Sequence, residues 1–234
     1  RTGADAYLYG YIDFNNDGWD DLFFVTGSGN RRHFGRENWW YTPQANRLYV
    51  NKNGEFFADI TEQSGIKEVE FGLACAATDL NNDGLTDLVV ANKGGNSVYQ
   101  NLGDGKFSKQ TSAFTDDSSF FSTSILIKDF NNDGLNDILF GNYVTVSQDQ
   151  NILELNAGYQ TQQSINFDSA LYDAQPDTLY INNGTFNFVQ NTTLTSANRH
   201  GRTLGFYEEG AVLALNDKGS TSQVVYLPEK NKTL

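Results

Sequence analysis

The stretch DLNNDGLTDLVV, residues 79–90, concentrates negative charge directly beside a strand-like run. It places three aspartates and two asparagines within nine residues and then becomes strongly apolar. Nearly the same string occurs as DFNNDGWDDLFF at residues 13–24 and as DFNNDGLNDILF at residues 129–140. A string that recurs at intervals of several tens of residues is typical of repeat architectures, so the repeating unit is the first property to define.

A second recurring element follows each acidic string. It reads NRLYVNKNGEFFADIT from Asn46, NSVYQNLGDGKFSKQT from Asn96 and DTLYINNGTFNFVQNT from Asp177. Asn- and Gly-rich turns between β-branched and aromatic runs indicate hairpins. A further strand candidate precedes each acidic string (YLYGYI, ACAAT, SILIK) and another follows it directly, so each unit contains four short strands. Four antiparallel strands per repeat predict an all-β fold built from β-propeller blades, with each acidic loop between the first and second strands.

The repeat spacing divides the chain into blades. We predict a first blade at about residues 4–62, a second at 71–112 and a third at 120–192, followed by a degenerate, incomplete fourth at 202–234. In the fourth, the string GFYEEGAVLAL from Gly205 has lost the first Asp and the ligand spacing, so we expect no calcium there. Propellers close with 4 to 8 blades, which favours a segment of a larger ring or assembly. The absence of methionine favours a processed segment as well.

The acidic loops have the donor spacing of a hard-cation site. In residues 79–87, side-chain oxygens stand at positions 1, 3, 5 and 9, Gly84 allows a sharp turn, and the residue at position 7 offers its carbonyl. Ca²⁺ takes six to eight oxygen ligands in flexible geometry, whereas Mg²⁺ prefers a tighter octahedron, so we predict three Ca²⁺ sites. The candidate ligands are Asp13, Asn15, Asp17, Trp19 and Asp21; Asp79, Asn81, Asp83, Leu85 and Asp87; and Asp129, Asn131, Asp133, Leu135 and Asp137.

Two alternative interpretations of these loops exist. An EF-hand loop begins with the same spacing, but it needs Glu at position 12 and flanking helices. Position 12 here is Phe24, Val90 or Phe140, each inside a short strand-like run, which argues against an EF-hand. Metal-free turns are the second alternative, because Asn, Asp and Gly favour turns in any case. The full donor pattern in all three loops favours the cation.

Composition restricts the classes of function and partner. The chain has 29 acidic and 16 basic residues and a net charge of −13, which disfavours nucleic acid and anionic membranes. No apolar run reaches the roughly 20 residues that a membrane-spanning helix needs, so we expect no membrane insertion. His33 and His200 are not accompanied by a nucleophile elbow, a zinc-protease pair or a cysteine partner, so we expect no enzymatic activity.

Two blades carry long insertions between their second and third strands, at about residues 26–45 and 143–176. This connection lies at the end of the blade opposite the acidic loop, and long loops on a rigid scaffold commonly bind partners. Aromatic and basic residues in the first insertion suit sugars, carboxylates or protein hot spots. The alternative is that the tryptophans pack against the blade edge. The candidate contacts are Arg31, Arg32, Arg36, Trp39, Trp40 and Tyr41.

The acidic strings resemble those of the FG-GAP or VCBS repeat proteins, whose calcium-binding blades are similar to the propeller of integrin α-subunits. The segment NRLYVNKNGEFFADITEQSGI, followed by FGLACAATDLNNDGLTDLVVAN, is most similar to the ASPIC/UnbV-associated extracellular proteins. The resemblance implies calcium at the loop residues named above, in an extracellular, cell-surface or periplasmic protein. We therefore expect a calcium-stabilised binding or adhesion module that recognises a protein or glycan through the insertions. The alternative is a noncatalytic scaffold within a larger secreted or surface protein, such as one attached to a carbohydrate-active enzyme.

Overall fold

Strands dominate the secondary structure of this chain, as the sequence predicts. The one helix within the described ranges is a single turn, α1 (Thr61–Ser64), and no described helix is long and apolar enough to cross a membrane. The computed structural model describes residues 5–28, 30–34, 38–42, 45–67, 69–114, 120–143, 175–191, 211–214 and 223–226.

Three four-stranded antiparallel sheets form propeller-like blades, and the strands of each sheet are hydrogen-bonded in chain order. The first blade contains β1 (Asp5–Ile12), β2 (Asp21–Ser28), β5 (Arg47–Lys52) and β6 (Phe56–Asp59). The second contains β7 (Gly72–Thr78), β8 (Asp87–Asn92), β9 (Ser97–Asn101) and β10 (Phe107–Lys109). The third contains β11 (Ser122–Lys128), β12 (Asp137–Asn142), β13 (Thr178–Asn182) and β14 (Phe188–Asn191).

Neighbouring blades pack face to face. Strand β7 contacts β1 and β2 of the first blade and β11 of the third. Successive side chains of a strand point to opposite faces of its sheet, so a blade between two others buries both faces. In β8, Leu88 and Val90 belong to the core shared with the first blade, whereas Val89 and Ala91 belong to the core shared with the third. All residues of β8 are therefore buried.

The acidic loops sit at the same place in every blade. The register pairs Ile12 with Asp21, Thr78 with Asp87, and Lys128 with Asp137. In each pair the first residue ends the first strand, and the second is the aspartate at position 9 of the loop, which begins the second strand. The predicted location of the loops, between the first and second strands, is confirmed for all three blades.

Two smaller sheets lie outside these blades. Within the first insertion, β3 (Asn30–Phe34) and β4 (Asn38–Thr42) form an antiparallel pair where the sequence analysis expects a loop. The physical reason is that the aromatic run NWWYT has a high strand propensity. In the predicted fourth blade, β15 (Ala211–Ala214) pairs with β16 (Gln223–Tyr226). Most of that blade and of the second insertion lies outside the described residues.

Candidate metal centre

The three acidic loops share one backbone conformation. The asparagine at position 4 lies in the left-handed region in every loop, with φ of 56° at Asn16, 58° at Asn82 and 60° at Asn132. The glycine at position 6 has φ of 86°, 85° and 91° in the three loops. Asn tolerates the left-handed region better than most residues, and Gly adopts it without steric cost. The repeated sequence NNDG therefore encodes this backbone shape directly.

Oxygen atoms from positions 1, 3 and 5 converge in each loop. In the second blade, the backbone N–H of Asp83 donates to Asp79 Oδ1 at 3.2 Å and to Asn81 Oδ1 at 3.1 Å. Asp79 Oδ2 accepts from the backbone of Gly84 at 2.8 Å, and Asp83 Oδ1 accepts from that of Leu85 at 2.9 Å. The first and third loops repeat these four bonds at 2.8 to 3.1 Å. The structure thus brings the predicted donors of positions 1, 3 and 5 together.

The aspartate at position 9 is buried, unlike the exposed rim of the loop. Asp87 has no exposed surface; its Oδ2 accepts from the backbone of Leu80 at 2.9 Å, and its Oδ1 accepts from that of Asn101 at 2.8 Å. Asp21 and Asp137 make the same pair of bonds in their own blades. Each carboxylate oxygen has two lone pairs, so these bonds leave acceptor capacity on both oxygens. Position 9 thereby ties each acidic loop to the third strand of its blade.

Burial dominates the electrostatics of position 9. It raises the pKa of Asp21 and of Asp87 to about 6, and it raises the pKa of Asp137 above the usual 3.8. The two backbone N–H donors lower these pKa values, while the carboxylates at positions 5 and 1 raise them further. The ion pairs that the described residues form, Arg47–Asp59 and Lys109–Glu70, include no aspartate of the loops. A cation bound in the loop would favour the charged carboxylates.

The donor chemistry of the loops fits a hard cation. Each loop offers oxygen alone, from carboxylates at positions 1, 5 and 9, an amide at position 3 and the carbonyl at position 7. In the part of the chain that is described, no three His, Cys, Asp or Glu side chains are grouped closely enough to hold a metal by themselves. The amide and the carbonyl would therefore have to complete the set, as they do in oxygen-ligated Ca²⁺ sites. Ca²⁺ binding at the named residues stays a prediction.

Side-chain amides join the loops of neighbouring blades, a feature that sequence reasoning missed. Asn16 Nδ2 donates to the carbonyl of Gly84 at 2.9 Å, and Asn82 Nδ2 donates to that of Gly134 at 3.2 Å. Two buried asparagines make further links between blades: Asn101 Nδ2 donates to Phe14 O at 2.8 Å, and Asn182 Nδ2 donates to Leu80 O at 2.7 Å. The available signal was the asparagine that precedes every hairpin turn, in YVNKNG, YQNLGDG and YINNG.

The candidate contacts of the first insertion lie on the β3–β4 pair. The register places Arg31 opposite Tyr41 and Arg32 opposite Trp40, with Trp39 opposite His33. Arg36 lies outside the described residues. Because β2 starts at the acidic loop and runs away from it, the insertion that follows β2 begins at the opposite end of the blade. The backbone therefore brings five of the six candidates onto one small sheet.

A cavity of about 480 Å³ lies between the first and second blades. Its lining includes Gly10, Asp13, Asn16, Thr86 and Cys75. Burial raises the pKa of the Cys75 thiol to about 11, so the thiol stays protonated near neutral pH. The cavity therefore offers polar groups from two acidic loops and no activated thiol nucleophile.

No sequence among the curated proteins matches the chain. A solved structure of an Agrocybe aegerita lectin, described as specifically recognising non-reducing terminal N-acetylglucosamine, is 15% identical and has a TM-score of 0.29; the alignment covers 79% of this chain and 65% of that one.

The model of the FG-GAP-like repeat matches residues 13–90 and 79–140. Each match begins at the first aspartate of one acidic loop and ends in the strand that follows the next loop. Together the two matches span more than half of the chain. The predicted resemblance is thereby confirmed, while the narrower likeness to ASPIC/UnbV-associated proteins stays a prediction. The chain belongs to the FG-GAP-like repeat family.

Proposed function

We propose that this chain is a calcium-stabilised, noncatalytic binding or adhesion module of an extracellular, cell-surface or periplasmic protein. The observation that carries the proposal is the set of three acidic loops with one backbone conformation and converging oxygen donors. FG-GAP-like repeats are typical of extracellular or surface proteins, which agrees with this location. The three blades would form part of a propeller ring that further blades complete.

Calcium in these loops would relieve electrostatic repulsion. The loops hold nine aspartates at the ligand positions, three in each, and Asp20 in addition, so three Ca²⁺ ions would offset six of ten negative charges. The loops lack the bidentate Glu of EF-hand sensors, and extracellular modules bind Ca²⁺ with a Kd of roughly 10⁻⁴ to 10⁻³ M. Such sites are filled outside cells and nearly empty in the cytosol. Calcium would then act as a permanent brace rather than as a switch.

The partner surface is proposed at the opposite end of the blades. The β3–β4 pair brings arginine and aromatic positions together there, and these residue types dominate binding hot spots and sugar contacts. A protein or glycan at the cell surface is the corresponding partner class. The alternative, a scaffold that only connects other parts of a larger secreted protein, needs no such surface.

A calcium titration tests the metal part of the proposal. We expect calorimetry to show three Ca²⁺ per chain and excess EDTA to lower the Tm. At a free Ca²⁺ concentration of 100 times the Kd, each site contributes about 2.7 kcal/mol to the free energy of unfolding. Asp83→Ala should remove one ion, whereas the control Glu209→Gln in the fourth unit should remove none. A wild-type chain with no bound Ca²⁺ and an unchanged Tm in EDTA would show that the loops are plain turns.

A binding screen separates recognition from scaffolding. We expect the calcium-loaded chain to bind defined glycans on an array or a surface protein. Substituting Trp39 and Trp40 by Ala should weaken that binding by up to about 2 kcal/mol for each hot-spot residue, with the calcium stoichiometry unchanged. Leu102→Ala, which changes an exposed side chain of the second blade, serves as the control. Intact binding together with a lower Tm in the tryptophan variant would assign these residues to packing and favour the scaffold.

A further inference from the structure

The buried aspartates of the first and second loops are connected by a continuous line of hydrogen bonds. Asp21 Oδ2 accepts from the backbone N–H of Phe14 at 3.2 Å, and the carbonyl of Phe14 accepts from Asn101 Nδ2 at 2.8 Å. The backbone N–H of the same asparagine donates to Asp87 Oδ1 at 2.8 Å. All four residues are at most 1% exposed. Three hydrogen bonds, through Phe14 and Asn101, therefore connect the two aspartates.

The second and third loops repeat this connection. Asp87 Oδ2 accepts from the backbone N–H of Leu80 at 2.9 Å, and the carbonyl of Leu80 accepts from Asn182 Nδ2 at 2.7 Å. The backbone N–H of Asn182 donates to Asp137 Oδ1 at 2.8 Å. The two links share Asp87, one through each carboxylate oxygen. A single buried path thus runs through the position-9 aspartates of all three loops.

An exposed row of contacts accompanies the buried path. The asparagine at position 4 of one loop donates to the position-6 carbonyl of the next, from Asn16 to Gly84 and from Asn82 to Gly134. Each accepting carbonyl belongs to the peptide whose N–H, at position 7, is bonded to the aspartate of position 5. The orientation of that peptide therefore depends on the neighbouring loop as well as on its own.

We propose that Asn101 and Asn182, assisted by Asn16 and Asn82, are positioning residues that couple the three cation loops into one cooperative unit. This inference rests on the proposed calcium binding. An aspartate at position 9 that is held by a cation also holds the asparagine bonded to it, and through it the loop of the adjacent blade. The ordering of the second loop is then partly complete before its own ion binds, which is a source of positive cooperativity.

The chain contains a matched control for the buried asparagines. Asn51 occupies the same place in the first blade and makes the same bonds within its blade: its N–H donates to Asp21, its Nδ2 to Asp20 O, and its Oδ1 accepts from Gly54. Asn101 makes the counterparts of all three bonds. In the described part of the chain, Asn101 differs from Asn51 by its bond to the preceding blade. A comparison of the Asn101 and Asn51 variants therefore separates the effect of the cross-blade contact from the effect of the local hairpin bonds.

Calcium titrations of the full chain test the coupling. With the middle loop emptied by Asp83→Ala, we expect the two remaining sites to bind Ca²⁺ at least about fivefold more weakly than in the wild type, within the usual range of coupling energies. Asn101→Ala should lower the Hill coefficient, whereas Asn51→Ala should not. Independent sites in the wild type, or equal effects of the two alanine variants, overturn the coupling alone. A wild type that binds no Ca²⁺ overturns the proposed function itself.

Two exposed asparagines provide a second test of the coupling if the variants of the buried asparagines do not fold. Asn82 and Asn132 occupy the same loop position at φ of 58° and 60°, but only Asn82 has a cross-loop acceptor among the described residues. Substitution by Gly removes either side chain without strain in the left-handed region. We expect Asn82→Gly to reduce the cooperativity and Asn132→Gly to leave it at the wild-type value. Equal Hill coefficients in the two glycine variants would refute the coupling.

Discussion

The two ends of the blades obey different constraints. At the acidic end, all three loops have the same length, nearly the same φ angles and the same hydrogen bonds. At the opposite end, the connection between the second and third strands is short in the second blade and long in the first and third. One end is repeated and the other varies, although both are built on the same four strands.

A single contact allows the variable end to vary. In each blade, a buried residue near the end of the second strand donates its backbone N–H to a side-chain oxygen just before the third strand, at 2.9 to 3.0 Å. The pairs are Thr26 to Asn46, Asn92 to Asn96, and Asn142 to Asp177. The partners are 20, 4 and 35 residues apart. This hydrogen bond therefore joins the second and third strands at the end opposite the acidic loop, whatever the length of the chain between the two partners. The connection therefore differs in length among the three blades while their four-stranded order stays the same.

The largest expected effect contrasts the buried and exposed aspartates of one acidic loop. Asp87→Ala leaves two buried backbone N–H groups, of Leu80 and Asn101, without their acceptor. Each unsatisfied buried donor costs about 1 to 3 kcal/mol, so we expect the free energy of unfolding to decrease by about 2 to 6 kcal/mol. Urea denaturation in EDTA measures this effect without any contribution from calcium.

Asp83→Ala is the matched control for that prediction. Asp83 lies on the exposed rim of the same loop, where water replaces the lost hydrogen bonds. In EDTA we expect a much smaller change than for Asp87→Ala, whereas the loss of a calcium site should be common to both. Similar losses of stability in EDTA would mean that position 9 contributes no more to folding than position 5 does.

An intermediate effect is expected at the variable end. Asn46→Ala removes the side-chain oxygen that accepts from the backbone of Thr26, and both residues are at most 2% exposed. One buried N–H is left unsatisfied, so we expect a loss of about 1 to 3 kcal/mol in the free energy of unfolding. Asn46→Asp restores the acceptor, as Asp177 does in the third blade, and should recover part of the loss. Equal losses for Ala and Asp would show that the bond does not close the blade.

The difference between the two ends of the blades also explains which features could be predicted from the sequence. The acidic loops are recognisable from the sequence, because their backbone shape needs Asn and Gly at fixed positions and a cation site needs Asp at fixed spacing. Asn46 and Asn101 look like ordinary turn residues in the sequence, since their roles depend on partners 20 and 87 residues away. The β3–β4 pair was missed because its first strand, NRRHF, has no strand pattern of its own and is recognisable only once it is paired with NWWYT.

The last effect concerns the pH dependence of the stability and arises from the same buried aspartates. Their pKa values of about 6 in the folded chain, at Asp21 and Asp87, lie above the usual 3.8 of the unfolded chain. Between these limits the folded state binds more protons, so its stability decreases as pH rises. The contribution is fully present below about pH 4 and is lost as pH rises through about 6.

In EDTA we therefore expect the free energy of unfolding to fall from pH 4 to pH 7 more steeply for the wild type than for Asp87→Asn, which does not titrate. Saturating Ca²⁺ should flatten the wild-type profile, because a bound cation favours the charged carboxylate. Parallel profiles of the wild type and Asp87→Asn in EDTA would show that burial at position 9 is already compensated by its two backbone donors, and that the acidic end tolerates its charge without a cation.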